Sequence, residues 1–308
     1  MRRPAPLVPA LAVVLLLSAC GSERVGHPSN GPGAASPAPR TRVTDPPVDG
    51  VRITAVSIPS ASPTPSASPG QVHADPLPAD PEVSAAYEVT NDGTEALTYT
   101  VLFGFMSSDG GAVSNQRETV RSVGPGRTVR GTVGPGVLPP GAPAVTTVKV
   151  TEVTKVPAAE APAEAGVCPP SGIRVTADDG DAAMGLRVVG LRLENCGTKD
   201  YSLDGYPQLT LLDEDREPVE GVRILRGGDS IAGGTGYDDP PRPLTLKPGD
   251  SAVSGLVWRN TTGSGTAVNI PYVRIRAKAG AAPVTVTPHL DLGTTGKLGV
   301  GAWKRAEP

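Results

Sequence analysis

The sequence predicts an all-β protein: two antiparallel β-sandwich domains behind an export signal and a disordered tether. Three observations lead there. Glycine and proline fill 73 of the 308 positions, 38 and 35 respectively, which disfavours long helices and favours short strands and turns. Apolar residues recur at every second position in many short runs, the period of a half-buried strand. Between the runs stand Asn-Asp-Gly, Asp-Gly-Gly and Pro-Gly signals suited to turns. The length by itself suggests about two domains.

At the N-terminus Arg2-Arg3 precede an apolar run from Leu7 to Leu17, which ends in Ser18-Ala19-Cys20. A basic start, a short apolar stretch and small residues mark residues 1–19 as an export signal. The run contains Pro9 and falls short of the roughly 20 residues a bilayer span needs. Leu17-Ser18-Ala19-Cys20 resembles the lipobox of bacterial lipoproteins. That resemblance implies a lipid on the Cys20 thiol and cleavage just before it. It further implies a protein anchored in the cell membrane by that lipid, on its extracytoplasmic face. Residues 20–49 are rich in Ser, Gly and Pro without apolar periodicity, the composition of a disordered tether. Its reach is roughly 30 Å. Loss of Arg2 and Arg3 with the signal takes the formal net charge from −3 to −5. No basic block remains, so the sequence carries no nucleic-acid footprint.

The first sandwich is expected over residues 50–157. Val51–Ile58 alternates, Pro59–Pro81 is a Pro/Ser-rich insertion without strand capacity, and strands resume at Val83–Thr90. Asn91-Asp92-Gly93 ends that strand. Leu97–Met106 and Val113–Val120 flank the hairpin signal Asp109-Gly110-Gly111, and Thr128–Val133 and Val145–Val156 complete the set. Tyr87-Glu-Val-Thr-Asn-Asp-Gly-Thr94 together with Val123-Gly-Pro-Gly-Arg-Thr128 resembles small immunoglobulin-like domains of bacterial envelope proteins. Residues 158–166 form a short linker, where Pro162 opposes a helix.

The second sandwich is expected over residues 167–305. Ile173–Ala177 and Leu186–Glu194 flank the Asp178-Asp179-Gly180-Asp181 turn, and Leu209–Leu212 and Val219–Leu225 form a hairpin about Asp213-Glu214-Asp215. Val253–Arg259, Tyr272–Lys278, Pro283–Thr287 and Leu298–Trp303 supply the later strands, with Trp258 read as core. Cys168 and Cys196 are the even pair left once Cys20 is lipidated. In an exported protein they read as a disulfide, worth roughly 3–4 kcal/mol by chain entropy. A metal pair or a reactive thiol is the competing reading. Two thiolates need further ligands, and His27, His73 and His289 lie far apart.

Cys168-Pro-Pro, Leu193-Glu-Asn-Cys-Gly197, Leu203-Asp-Gly-Tyr-Pro207, Leu246-Lys-Pro-Gly-Asp-Ser-Ala252 and Leu256-Val-Trp-Arg-Asn260 occur in this order. Together they resemble the actinobacterial exported domain known as domain of unknown function 4232. The resemblance implies an extracytoplasmic β-sandwich, often on lipoproteins, with no known reaction. Compared with common members, the second cysteine stands at Asn195-Cys196-Gly197 rather than just before the Leu203–Pro207 segment.

No nucleophile elbow, phosphate loop or zinc-protease motif is present, and no cofactor is expected. His289 and Asp291 are the one His–acid neighbourhood in a folded unit, and on a strand they would share a face. The acidic turn at Asp178–Asp181 lacks the closing Glu and spacing of a calcium loop. The Gly-rich loop Gly227–Pro243 is the candidate binding segment, because long loops on rigid scaffolds often carry function. Tyr237, Asp238 and Asp239 are its contact residues. The expected function is non-catalytic: a surface lipoprotein that binds an envelope protein, glycan or small ligand, or failing that a structural spacer.

Overall fold

The computed structural model describes residues 40–58 and 83–307, all within one compact unit. The export signal, Cys20, most of the tether and the Pro59–Pro81 insertion lie outside the described residues. The first sandwich holds β1 (Arg40–Arg42), β2 (Val51–Ser57), β3 (Ser84–Thr90), β4 (Leu97–Met106), β5 (Ala112–Val123), β6 (Thr128–Val133) and β7 (Thr147–Pro157). One sheet runs β1-β2-β3-β6 and the other β5-β4-β7. Val51, Ile53, Val89, Val101, Phe103 and Phe105 fill the space between them. The Tyr87 and Phe103 rings meet there at 4.9 Å between centroids.

The second sandwich begins with β8 (Ile173–Ala177), β9 (Asp181–Ala183), β10 (Leu186–Asn195), β11 (Tyr201–Leu203), β12 (Gln208–Leu212) and β13 (Arg223–Arg226). It continues with β14 (Leu244–Leu246), β15 (Ser251–Arg259), β16 (Asn269–Ile270), β17 (Tyr272–Arg276) and β18 (Pro283–Val286). Three short strands end it: β19 (Leu290–Asp291), β20 (Lys297–Val300) and β21 (Lys304–Arg305). The large sheet runs β13-β20-β15-β10-β8, with β9 beside β10 and β21 beside β15, and it faces the sheet β12-β17-β18. Leu191, Leu193, Leu256, Ile275, Leu298 and Trp303 build this core. Trp258 belongs to it, and its indole N–H donates to Asp291 Oδ1 at 2.7 Å.

The protein is therefore all-β among its described residues, as the period-2 runs predict, with two departures in detail. A strand already forms at Arg40–Arg42, where the sequence suggests tether, and pairs antiparallel with β2. All three of its side chains are exposed, so no apolar alternation marks it and backbone pairing alone places it in the sheet. The hairpin expected about Asp213–Asp215 forms only at its turn, where Asp213 N–H donates to Glu217 O and Val219 N–H to Leu211 O. Leu212 meets Pro218 in a single bridge, and β13 turns away to lie parallel to β20.

Both sandwiches turn at the same kind of corner, built on a buried asparagine. Asn91 Nδ2 donates to Glu95 O and Val123 O, both at 2.7 Å, and its Oδ1 accepts Gly93 N–H at 2.9 Å. Its backbone N–H donates to Arg127 O and its carbonyl accepts Gly126 N–H. Asn195 repeats every bond: Nδ2 to Lys199 O and Leu246 O, Oδ1 from Gly197 N–H, N–H to Asp250 O, carbonyl from Gly249 N–H. The strand registers match as well. Thr90 opposes Thr128 and Leu97 opposes Val123 around the first corner; Glu194 opposes Ser251 and Tyr201 opposes Leu246 around the second. One plan is thus used twice, and each asparagine satisfies backbone groups that would otherwise be buried unpaired.

The linker joins the two sandwiches tightly. The Glu160 carboxylate accepts Arg274 Nε at 2.8 Å and Thr285 Oγ1 at 2.7 Å, while its carbonyl accepts Thr285 N–H at 2.7 Å. Val156, Leu212 and Tyr272 form a small apolar joint against Ala161.

Candidate functional site

The Gly227–Pro243 loop lies flat on the outer face of the large sheet of the second sandwich. Gly190 and Gly255 are register partners on β10 and β15, and Gly301 N–H donates to Gly255 O on the far side. These three glycines on neighbouring strands leave a slot that the Tyr237 ring fills. A Cβ at Gly255 would stand 2.5 Å from Tyr237 Cε2, one at Gly301 2.9 Å from Tyr237 Cβ, and one at Gly190 3.0 Å from the Tyr237 hydroxyl. No side chain larger than hydrogen fits under the ring. Burial first, then the nearby Asp178 carboxylate, pushes the Tyr237 hydroxyl pKa up.

The two acids of the loop are held as well. Asp238 accepts Gly234 N–H and Thr235 Oγ1–H, closing the loop on itself. Asp239 pairs with Lys304 at 3.0 Å, and the same ammonium donates to Gly236 O. The sequence marks Tyr237, Asp238 and Asp239 as contact residues. Each is engaged within the chain, and the loop works as a strap over the sheet.

Cys168 and Cys196 are joined by a disulfide, with Cα atoms 5.7 Å apart. The bridge stands beside the second corner, since Cys196 follows Asn195. His289 and Asp291 line the same small pocket but bond to different partners. His289 takes a positive φ of 49° just before β19 and its Nε2 lies 3.0 Å from Glu152 of the first sandwich. Asp291 turns instead to Trp258 and Asn260. Burial alone would raise the Asp291 pKa, but those two donors and the Arg187 guanidinium outweigh it and leave the carboxyl below its usual range. In the acidic turn, Asp178 Oδ1 accepts the N–H groups of Gly180 and Gly190, a role in folding the turn.

A cleft of about 390 Å³ opens between the sandwiches. Its floor is the face of β5-β4-β7 that points away from the first core. Thr119, Thr100 and Thr154 are register partners across those three strands and form a row of hydroxyls. Thr176 and Thr287 approach from the second sandwich. The ionisable groups around the row are engaged within the chain: Arg117 pairs with Asp179, His289 Nε2 lies 3.0 Å from Glu152, and Arg121 donates to Pro162 O. The sequence carries the signal for this floor, polar residues at every second position in Arg117–Arg121 and Glu152–Thr154. Sequence alone reads such positions as solvent-facing, because it does not show that a second sandwich stands over them.

Residues 168–304 match the family model described as Domain of unknown function (DUF4232). The match covers the second sandwich from the disulfide to β21, so the strap, its glycine slot and the Asn195 corner all lie in the DUF4232 region. The first sandwich and its threonine row lie outside the DUF4232 match. No curated protein and no solved structure matches the chain.

Proposed function

We propose that the chain is a non-catalytic lipoprotein, held by a lipid on Cys20 at the extracytoplasmic face of an actinobacterial cell membrane. There it acts as a binding module for an envelope protein, glycan or small ligand. The anchor is supported by the Leu17–Cys20 motif and the Ser/Gly/Pro-rich stretch after it. The observation that carries the binding reading is the cleft between the sandwiches, whose size falls within the range of about 300–1,000 Å³ typical of small-molecule sites. A non-catalytic role is supported by the engagement of His289 and Asp291, each bonded to a partner other than the other. A structural spacer is the second reading, favoured by the rigid joint at Glu160 and Tyr272. Crosslinking on intact cells separates the two: recovery of one recurrent partner supports binding, and no recovered partner supports the spacer. Cys20→Ala tests the anchor, with transfer of the protein from the membrane fraction to the medium as the expected result. Unchanged membrane partitioning removes the lipid from the reading.

A further inference from the structure

The geometry points to a neutral saccharide of one or two rings as the ligand of the inter-sandwich cleft, an inference that rests on the binding reading above and gives it a site and a chemistry. Thr154 is the strongest pointer. It is only 5% exposed, and its hydroxyl has no partner among the described residues. No fully buried side-chain oxygen or nitrogen in those residues lacks a partner, so this hydroxyl still reaches open space. The open space beside it is the cleft. Thr100 and Thr119 continue the row, with hydroxyls that are likewise unbonded.

The charge pattern selects the ligand class. Arg117 pairs with Asp179 and the His289 ring lies against Glu152 across the cleft, so among the described residues the one cation of the lining outside an ion pair is Arg121, and it already donates to Pro162 O. What remains free is a set of hydroxyls, each able to donate one hydrogen bond and accept two. Their complement is another set of hydroxyls. Val156, Val189 and Pro162 supply apolar contact for the C–H faces of a ring.

The second sandwich provides an internal contrast. Thr210, Arg274 and Thr285 form a similar cross-strand row on β12-β17-β18. There Glu160 of the linker lies over the row and bonds Arg274 and Thr285. The chain closes one row with its own carboxylate and leaves the other open.

The test is methyl-resolved NMR of the full-length protein in detergent, titrated with glucose, N-acetylglucosamine, maltose and chitobiose. At least one of these should shift the Thr100, Thr119 and Thr154 methyl signals. Thr154→Val and Thr100→Val keep the side-chain shape and remove a hydroxyl that bonds nothing in the chain, so the unfolding midpoint should stay put. Each should weaken the saccharide about three- to tenfold, the effect of one hydrogen bond. Thr210→Val, on the other sheet, should leave affinity unchanged. The inference is overturned if none of the four sugars moves the cleft methyls, if the valine variants bind as well as the parent, or if acetate shifts the row while the sugars do not. Crosslinked partners that persist in Thr154→Val, or sugar shifts that map elsewhere, overturn this site and keep the binding reading. Loss of both overturns both.

Discussion

The Asn91 and Asn195 corners make the same five hydrogen bonds in the same register, yet only the second is braced by a disulfide. The faces beside them differ too. Across β2, β3 and β6 the first sandwich exposes Arg52, Glu88 and Arg130, a cross-strand ion trio. One pair further from the corner on that face, where the first sandwich has Ala86 opposite Thr132, the second has the bare glycines of β10 and β15, roofed by Tyr237. The shared part is what the corner needs in order to fold. The parts that differ belong to how each sheet treats its outer surface.

The largest expected effect comes from the shared part. Asn91→Asp or Asn195→Asp removes two buried N–H donors and sets a carboxylate against two carbonyls. With three groups disturbed, each substitution should cost its own sandwich about 3–5 kcal/mol. Hydrogen exchange resolved by sandwich measures this, and equal losses in both sandwiches from one substitution would mean that they unfold as one. Next comes the brace. Cys168→Ser with Cys196→Ser should cost roughly 3 kcal/mol by urea unfolding and leave the first sandwich untouched. If the cost is negligible, the two corners are equivalent without the disulfide.

Tyr237→Ala should cost about 2 kcal/mol, somewhat under the 3–5 typical of a fully buried aromatic, because the ring is half-buried. A change below 0.5 kcal/mol, the usual limit for surface positions, would mean that the strap is free of the sheet. The smallest effect is pH-dependent. The folded pKa of Asp291 is lowered, so its contribution is present above the unfolded carboxylate range near 4 and is lost as pH falls through the lowered value. Asp291→Ala should therefore destabilise the second sandwich by about 1 kcal/mol at pH 7, and the gap to the parent should narrow as pH falls through the lowered carboxyl range. A gap that is constant with pH would assign the effect to packing.

Much of the fold is legible in the sequence because turns and strands announce themselves locally. Ile173–Ala177 falls where alternation puts it, and Lys247-Pro-Gly-Asp250 forms its turn with Gly249 at positive φ. Pairing between distant strands is not local. The parallel partnership of β13 with β20 rests on residues more than seventy positions apart, and nothing near Arg223 signals it. The twin corners lie in between. Asn-x-Gly-Thr followed later by Pro-Gly occurs at Asn91 and again at Asn195. Each reads in isolation as an exposed turn, and only the structure shows the amide turned inward to bond the next sheet. The candidate site divides the same way. The disulfide follows from counting cysteines, whereas the loop residues Tyr237, Asp238 and Asp239 look available in sequence and are occupied in space.

The glycine slot carries a consequence for descent. Gly190, Gly255, Gly301 and Tyr237 sit on four separate stretches of chain but depend on one another sterically. A methyl group at Gly255 evicts the ring, and a lost ring leaves three bare strands that other side chains would then be free to cover. Across the lineage of this domain the four positions should change together, glycine with the aromatic and bulkier residues without it. A homologue that keeps the tyrosine over an alanine at the position of Gly255 would carry its strap elsewhere.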